Sequence, residues 1–375
     1  MSSSSVNAFG NTMFRELYYI QHHKGNIAFS GMVIYHLMAV IDMSISGKTK
    51  EQLSAFLRED FDVSSECKEP YKQIDLISNL QSFREEVESC SKLKSIMFHS
   101  IGINERFMVI SNHLVDLNCR FQNFSFPGET LKLVNKWIKS NTYATPKSPF
   151  DIHFESENSL HFINTFSFPT LRSSLFDGVR TNTDYFRREE GVLVEVTMMY
   201  TFGQFPIFYD PEEHVSYLFI PITNKNLHVA FILPTEDCCL RDFVMRMKPN
   251  HLSTAYALAS VRNMHVFIPK FKISSSLHLK KAFLNNSVID LFTNGVANIT
   301  GITNMEGFIQ SIVQIAEVEM DENIFSWLSP KYTEEIADTK KFNAIRPFMF
   351  YVLDKDTGLI ILSSIINDPN TQFYE

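Results

Sequence analysis

The decisive stretch lies near the C-terminal end: "EVEMDENIFSWLSPKYTEEIADTKKFNAIRPFMFYV", Glu317 to Val352. Its left end reads as a buried strand, with Ile315, Val318 and Met320 in an apolar run closed by the acidic pair Asp321 and Glu322. Its right end, "RPFMFYVLD", reads as a second strand. Between them the chain is polar and aperiodic, interrupted by Phe325, Trp327 and Pro330. Unstructured connections longer than about 12–15 residues are uncommon in compact domains and are usually functional or disordered. A long segment strung between two buried strands therefore marks the place to look for function.

The rest of the chain sets the frame for that segment. No linker, repeat or low-complexity block divides its 375 residues, so a single domain over 1–375 is expected. It is 45% hydrophobic and 20% charged, the profile of a soluble globular protein with a large core. The net charge of −8 and scattered Lys and Arg argue against a nucleic-acid or anionic-membrane partner. No apolar run reaches the length of a membrane span, about 18 residues. Cys67, Cys90, Cys119, Cys238 and Cys239 are odd in number and irregular in spacing, which fits reduced thiols better than a disulfide framework or a zinc site. The N-terminal "MSSSSVNAFGNTMFRELYYIQ" lacks the basic and apolar regions of a secretory leader. A cytoplasmic location is therefore expected, with leaderless export leaving an extracellular role open. In the same stretch Phe9, Met13 and Leu17, with Phe14 and Tyr18 beside them, repeat at helical spacing. The sequons at Asn123, Asn285 and Asn298 read as chance matches without a leader.

The first half reads as mostly helical. "GMVIYHLMAVIDMSI" is apolar nearly all round, which predicts a buried helix with Ser30 at its N-cap. "GKTKEQLSAFL" and "CKEPYKQIDLISNLQSFREEVESCSKL" follow, and "ETLKLVNKWIKSNT" places Leu131, Val134, Trp137 and Ile138 on one side. From about residue 160 the period becomes two. "LHFINTFSF", "VLVEVTMMY", "VSYLFIPI", "LHVAFILP", "HVFIPKFKI", "SIVQIAEVEM", "FMFYVLD" and "LIILSSII" all read as strands. "LRDFVMRM" and "LKKAFLNNSVIDLF" read as helices between them, with a turn at 293–295. Helices followed by long strands of antiparallel type predict an α+β fold.

Enzymatic signatures are missing. There is no GxGxxG, P-loop, HExxH or GxSxG, and the histidines do not cluster. His36, inside the buried helix, reads as a satisfied core histidine. No catalytic activity, cofactor or metal is expected.

Six stretches, in order over residues 6 to 369, resemble the serpin (serine protease inhibitor) family. "GNIAFSGMVIYHLMAVIDMSISGKTKEQL" is similar to the family's N-[IV]-x-F-S-P-x-S-I helix and its G-x-T-x-x-Q-[ML] continuation. "FINTFSF" resembles the buried strand V-N-x-x-[FY]-F, and "VEVTMMYTFGQF" resembles V-x-[VT]-x-M-M with the following turn. "VAFILPTE" resembles [IVF]-x-[FL]-P-x-E. "VFIPKFKISSSLHLKKAFLNNSVIDLFTNGVANITGI" resembles the stretch from the P-K-[FL] strand to the G-[VI]-x-x-[LV]-F helix. "FNAIRPFMFYVLDKDTGLIILSSIINDP" resembles F-x-x-x-[HR]-P-F-x-F with its closing G-x-[VI]-x-x-P. The resemblance implies the serpin fold: helices packed around a large central mixed β-sheet plus two smaller sheets. It makes the aperiodic segment, about 323–341, the reactive-centre loop. In inhibitory serpins a protease cleaves this loop and is held as an acyl-enzyme. The loop's N-terminal arm then inserts into the central sheet as a new strand, driven by released strain.

Insertion constrains the hinge, because alternate residues of the new strand must face the core. The family uses small residues there; this chain has Ile324, Phe325 and Trp327, then Pro330 and Lys331. Overpacking a closed core costs about 1–3 kcal/mol per large residue. A buried, unpaired Lys331 ammonium and a Pro330 in a central strand oppose insertion further. The loop is also shorter than the family's, which leaves the bait bond undefined among Glu334, Glu335, Ile336, Ala337 and Asp338. At the family's Ser–Asn–His sheet-opening cluster the chain has Val33, Asn164 and Gln314. Asn164 and Gln314 remain able to bond each other, while Val33 donates nothing. At the loop-entry region Arg172 stands in place of the family's Trp. Trp327 then either packs near Arg172 or forms an exposed anchor for a partner.

Two functions follow. The first is a serpin-fold protein that has lost the trap and binds a partner protein. The second is an inhibitor of atypical specificity, acting on a serine or cysteine protease with its bait bond within 334–338. A monomer is expected in both.

Overall fold

The computed structural model describes residues 2–61, 78, 80–82, 84–85, 87–88, 91–142, 154, 157–168, 180–222, 227–321 and 339–372. The chain opens with α1 (Ser3–Ile20), β1 (Ile27–Phe29), α2 (Gly31–Asp42) and α3 (Gly47–Leu57), and the described residues between 78 and 88 are helical. There follow β2 (Lys92–His99), α4 (Glu105–Val115), β3 (Leu117–Phe121), α5 (Pro127–Asn141) and β4 (Ser159–Phe168). Next come β5 (Arg180–Arg187), β6 (Leu193–Asp210), β7 (Val215–Pro221), β8 (Leu227–Pro234), α6 (Leu240–Arg246) and α7 (His251–Leu258). The last part holds β9 (Ser260–Pro269), β10 (Phe271–His278), α8 (Lys280–Asn285), β11 (Phe308–Met320), β12 (Lys340–Asn343), β13 (Phe348–Asp354) and β14 (Ile360–Ile366).

The elements fall into two compact units: Met1–Leu17, Ser30–Phe168 and Ser276–Glu317 in one, Tyr18–Phe29, Pro169–Ser275 and Val318–Glu375 in the other. The first unit is built on the mixed sheet ordered β10-β11-β4-β2-β3, to which it contributes Ser276–His278 of β10 and Phe308–Glu317 of β11. Strand β2 runs parallel to β3 and antiparallel to β4. Every residue of α2 is buried, as its all-round apolarity predicts. The α5 stripe is a narrower version of the same logic. Val134 and Ile138 are buried against Ile96, Phe98, Ile163, Val313 and Ile315, and Leu131 and Trp137 pack partly buried beside them. Each full side-chain burial of this size is worth about 1.5–3 kcal/mol. In α1, Phe9, Met13 and Phe14 are buried, and the ring of Phe9 lies 5.5 Å from Tyr35 and 5.1 Å from Phe56.

The second unit holds nine strands, ordered β1-β14-β13-β8-β7-β6-β9-β12 with β5 on β6. Strand β6 serves three partners along its length, beginning with β5 over Leu193–Tyr200. Met198–Ile207 pairs with β9, and Ile207–Asp210 pairs with β7. It thereby joins two smaller sheets into one path. Strands β13 and β14 are buried at every residue.

Several local expectations change. Residues 92–99 form a strand rather than closing a helix. There, Ile96, Met97 and Phe98 are buried, and β2 pairs on both sides. No turn follows Met199; β6 continues to Asp210 because β9 stays paired alongside it. "HVFIPKFKI" is two strands, broken where the Lys270 N–H turns to the Thr197 carbonyl. "LKKAFLNNSVIDLF" is not one helix: α8 ends at Asn285, Ser287 has φ 65, and a short 3-10 turn spans Asp290–Phe292.

Candidate functional site

Strands β4 and β11 are neighbours in the five-stranded sheet. All ten residues of β4 are buried. A strand buried on both faces is ordinarily a continuous apolar run, yet this one contains Ser159, His161, Asn164, Thr165 and Ser167. Buried polar groups must find partners, and three of these find them on β11. His161 Nδ1 lies 2.8 Å from Ser311 Oγ. Gln314 Nε2 donates to Asn164 Oδ1 at 3.3 Å. Ser167 Oγ donates to Glu317 Oε2 at 2.6 Å. The sequence separation is 150 in each pair. The two strands therefore advance together along the seam, locked in one register.

The central pair is tied further in both directions. Gln314 clasps the backbone that opens α2: the Ser30 N–H donates to Oε1 at 2.8 Å, and Nε2 donates to the Ser30 carbonyl at 3.1 Å. Those two bonds fix which way round the carboxamide sits. On the other side, Asn164 Nδ2 donates 2.9 Å to Ser95 Oγ, its facing residue on β2. Ser30 occupies the N-cap position, but its side chain makes no cap bond. Val33, in the first turn of α2, is 4% exposed and adds no polar side-chain atom. The relay α2–β11–β4–β2 thus runs through Ser30, Gln314, Asn164 and Ser95, all buried.

The flanking pairs differ in charge. His161 is buried, and its Nε2 lies 3.0 Å from Ser159 Oγ. Burial, aided by the Lys280 charge, lowers its pKa to about 3, so the ring is neutral. The Glu317 side chain brings a carboxyl into the seam with the residue 5% exposed. Such an arrangement offers directional hydrogen bonding and no activated nucleophile. Burial also raises Cys119 to about 11 and raises Cys238, keeping both thiols protonated. Among the described residues, no group of three or more His, Cys, Asp or Glu could hold a metal, and no helix is long and apolar enough to cross a membrane.

Residues Ile324, Phe325, Trp327, Pro330 and Lys331, Glu334 to Asp338, and Arg172 lie outside the described residues. Their attachment points are described: β11 ends at Met320, and β12 begins at Lys340, parallel to β9. The Ser30 and Ser95 partners, and the pairs at His161 and Ser167, were not anticipated from sequence. A signal for the pairs does exist. Polar residues stand three apart in two buried strands, at 161, 164 and 167 and at 311, 314 and 317.

A family model described as Serpin (serine protease inhibitor) matches residues 4–369, across both compact units. The chain belongs to the serpin family. Neuroserpin of Homo sapiens is 22% identical over 369 residues, covering 92% of this chain and 87% of that one. The leukocyte elastase inhibitor of Xenopus laevis is 22% identical over 377 residues, covering 92% and 93%. The crystal structure of mouse protein-Z dependent protease inhibitor matches with a TM-score of 0.83 at 20% identity, over 98% of this chain and 97% of that chain. The α+β serpin fold follows from that likeness. Serpins are generally protease inhibitors rather than enzymes.

Proposed function

We propose that this serpin does not complete the strand-insertion trap and acts, without catalysing a reaction, by binding a partner protein. The side-chain ties across the β4–β11 seam carry this reading. An entering strand must part His161 from Ser311, Asn164 from Gln314 and Ser167 from Glu317. Each buried group left without a partner costs about 1–3 kcal/mol. The arm that would enter repays little of this, since Ser329 is the one inward-facing hydroxyl it offers. Phe325 has no hydrogen-bonding side-chain group, Trp327 has a single N–H, and Pro330 lacks even its backbone donor. The bulk of those residues and the Lys331 charge add to the opposition.

The test is incubation with a protease panel that includes Asp- and Glu-preferring enzymes. Clean loop cleavage or no reaction is expected, and a melt of the loop-cleaved protein should lack the large rise that insertion brings. An SDS-stable covalent complex would overturn the proposal. That complex is what the second reading predicts, an inhibitor of atypical specificity with its bait bond within 334–338. Relatives named as inhibitors, such as the leukocyte elastase inhibitor, favour that reading.

A further inference from the structure

In the unit that holds the nine-stranded sheet, a cavity of about 470 Å³ opens between the end of β6, β7, α6 and α7. Small-molecule sites commonly measure roughly 300–1,000 Å³. One part of its lining is aromatic. Tyr217 is central, with Phe208 at 6.1 Å, Phe243 at 6.5 Å and His251 at 6.0 Å between ring centroids. Tyr217, Phe243 and His251 are buried and Phe208 is half-buried. The rest of the lining is charged, with Asp210, Glu212 and Glu213 set against Lys248. Asp210 Oδ1 accepts the N–H groups of Glu212 at 3.0 Å and Glu213 at 3.1 Å, which gathers the carboxylates in one turn. Glu213 is also paired with Arg246 at 3.4 Å, so Asp210 and Glu212 against Lys248 leave one negative charge in excess.

His251 supplies an independent observation. It is 8% exposed and forms part of the cavity wall. Its Nδ1 lies 3.5 Å from the Tyr217 hydroxyl, while its buried Nε2 has no hydrogen-bond partner among the described residues. Such a group is costly to leave unmade. Burial lowers the His251 pKa to about 3, so the ring is neutral. When Nδ1–H donates to the Tyr217 oxygen, Nε2 presents a lone pair.

We propose that this cavity binds a protonated amine carried on an apolar or aromatic body. The body lies on the Phe208, Tyr217 and Phe243 rings, whose faces also attract the cation. The ammonium is held by the Asp210–Glu212 carboxylates, with the His251 ring in the wall beside it. A carboxylate ligand would meet like charge instead. This site does not depend on how the reactive-centre loop behaves. A free arylalkylamine and a lysine side chain of a partner share the chemistry.

The full-length protein is titrated with phenethylamine and with Nα-acetyl-lysine amide, followed by calorimetry and by the His251 ring resonances in NMR. Saturable binding that shifts the His251 signals is expected from at least one amine, and the tighter of the two names the source. Neutral 2-phenylethanol should bind at least about tenfold more weakly, as should the amine to Asp210→Asn/Glu212→Gln, a loss of about 1.4 kcal/mol. Asn at 210 keeps the acceptor that the turn needs, so this surface variant tests the site even where His251→Leu fails to fold. Two results would overturn the proposal. One is no saturable binding of either amine up to about 10 mM, weaker than the millimolar limit of useful affinity. The other is unchanged affinity in the double variant.

Discussion

Strands β13 and β14 face each other with Phe348 opposite Ile366, Met349 opposite Ile365 and Val352 opposite Leu362. Strand β4 is as deeply buried and β11 is buried except at Gln310, Ser311 and Glu319, but their side chains meet as His161 with Ser311, Asn164 with Gln314 and Ser167 with Glu317. Apolar contact is non-directional and tolerates small slips. Hydrogen-bonded pairs in a low-dielectric interior have one correct register, and parting them leaves unsatisfied groups. The hairpin is therefore held mainly by area removed from water, and the seam mainly by matched partners. A seam of this kind is weaker per residue but far more specific about what lies beside it.

The largest effect should come from the hairpin. Phe350 is fully buried, with Phe231 at 5.3 Å and Phe271 at 5.5 Å between ring centroids. Phe350→Ala should cost about 3–5 kcal/mol in urea unfolding, mostly through the cavity it leaves. A loss under about 1 kcal/mol would mean the hairpin is not held by apolar packing.

At the seam, Gln314→Leu should cost about 3 kcal/mol, because it removes the acceptor of the Ser30 N–H and the donor to Asn164 Oδ1, while the Ser30 carbonyl keeps only its bond from the Ile34 N–H. Gln314→Glu should recover only part of this, since a carboxylate accepts from the Ser30 N–H but cannot donate to Asn164. Equal stability of the Leu and wild-type proteins would break the distinction between the two strand pairs.

Much of this contrast was readable in the sequence, and the unread part has physical causes. "FMFYVLD" and "LIILSSII" announce buried strands through unbroken apolarity, and α2 does so through apolarity on every face. Strand β2 escaped because "KLKS" precedes its apolar run and continues the polar mixture of the helical segment before it. Strand β5, "RTNTDYFR", has little apolar alternation to read, and β1 is three residues long. The family resemblance placed Asn164 and Gln314. It could not supply Ser30, whose contribution is two backbone atoms that no side-chain code records.

Acid should loosen the seam through His161; the hairpin contains no histidine of its own, but His251, lowered to about 3 in the same way, packs on its Tyr351. His161 has a pKa of about 3 in the fold against 6.5 for the free side chain. The unfolded chain thus takes up the proton first. Its contribution is complete above about pH 6.5 and drains as pH falls toward 3, reaching a loss of about 2 kcal/mol at pH 5. His161→Gln should remove that much of the stability difference between pH 7.5 and pH 5. Urea midpoints of the two proteins that shift in parallel would refute it.

Ser167→Ala should have the smallest effect, about 1–2 kcal/mol, because the Glu317 carboxylate loses one charge-assisted bond. Adding Glu317→Gln should then cost less than it does in the wild type, and a double-mutant cycle measures that coupling. A coupling energy of zero would assign the Ser167 bond no role in closing the seam.

One pairing governs when the nine-stranded sheet can exist at all. Ile27 in β1 lies opposite Ile365 in β14. Next to it, Asn26 Nδ2 donates to the Asp368 carbonyl at 2.7 Å, across a sequence separation of 342. During synthesis at about 5–20 residues per second, the partner of β1 emerges tens of seconds after β1 itself. Until then β1 has no mate in the sheet, and closing so long a loop is intrinsically slow. A nascent chain stalled before residue 360 should leave β1 open to protease, and release of the full chain should protect it.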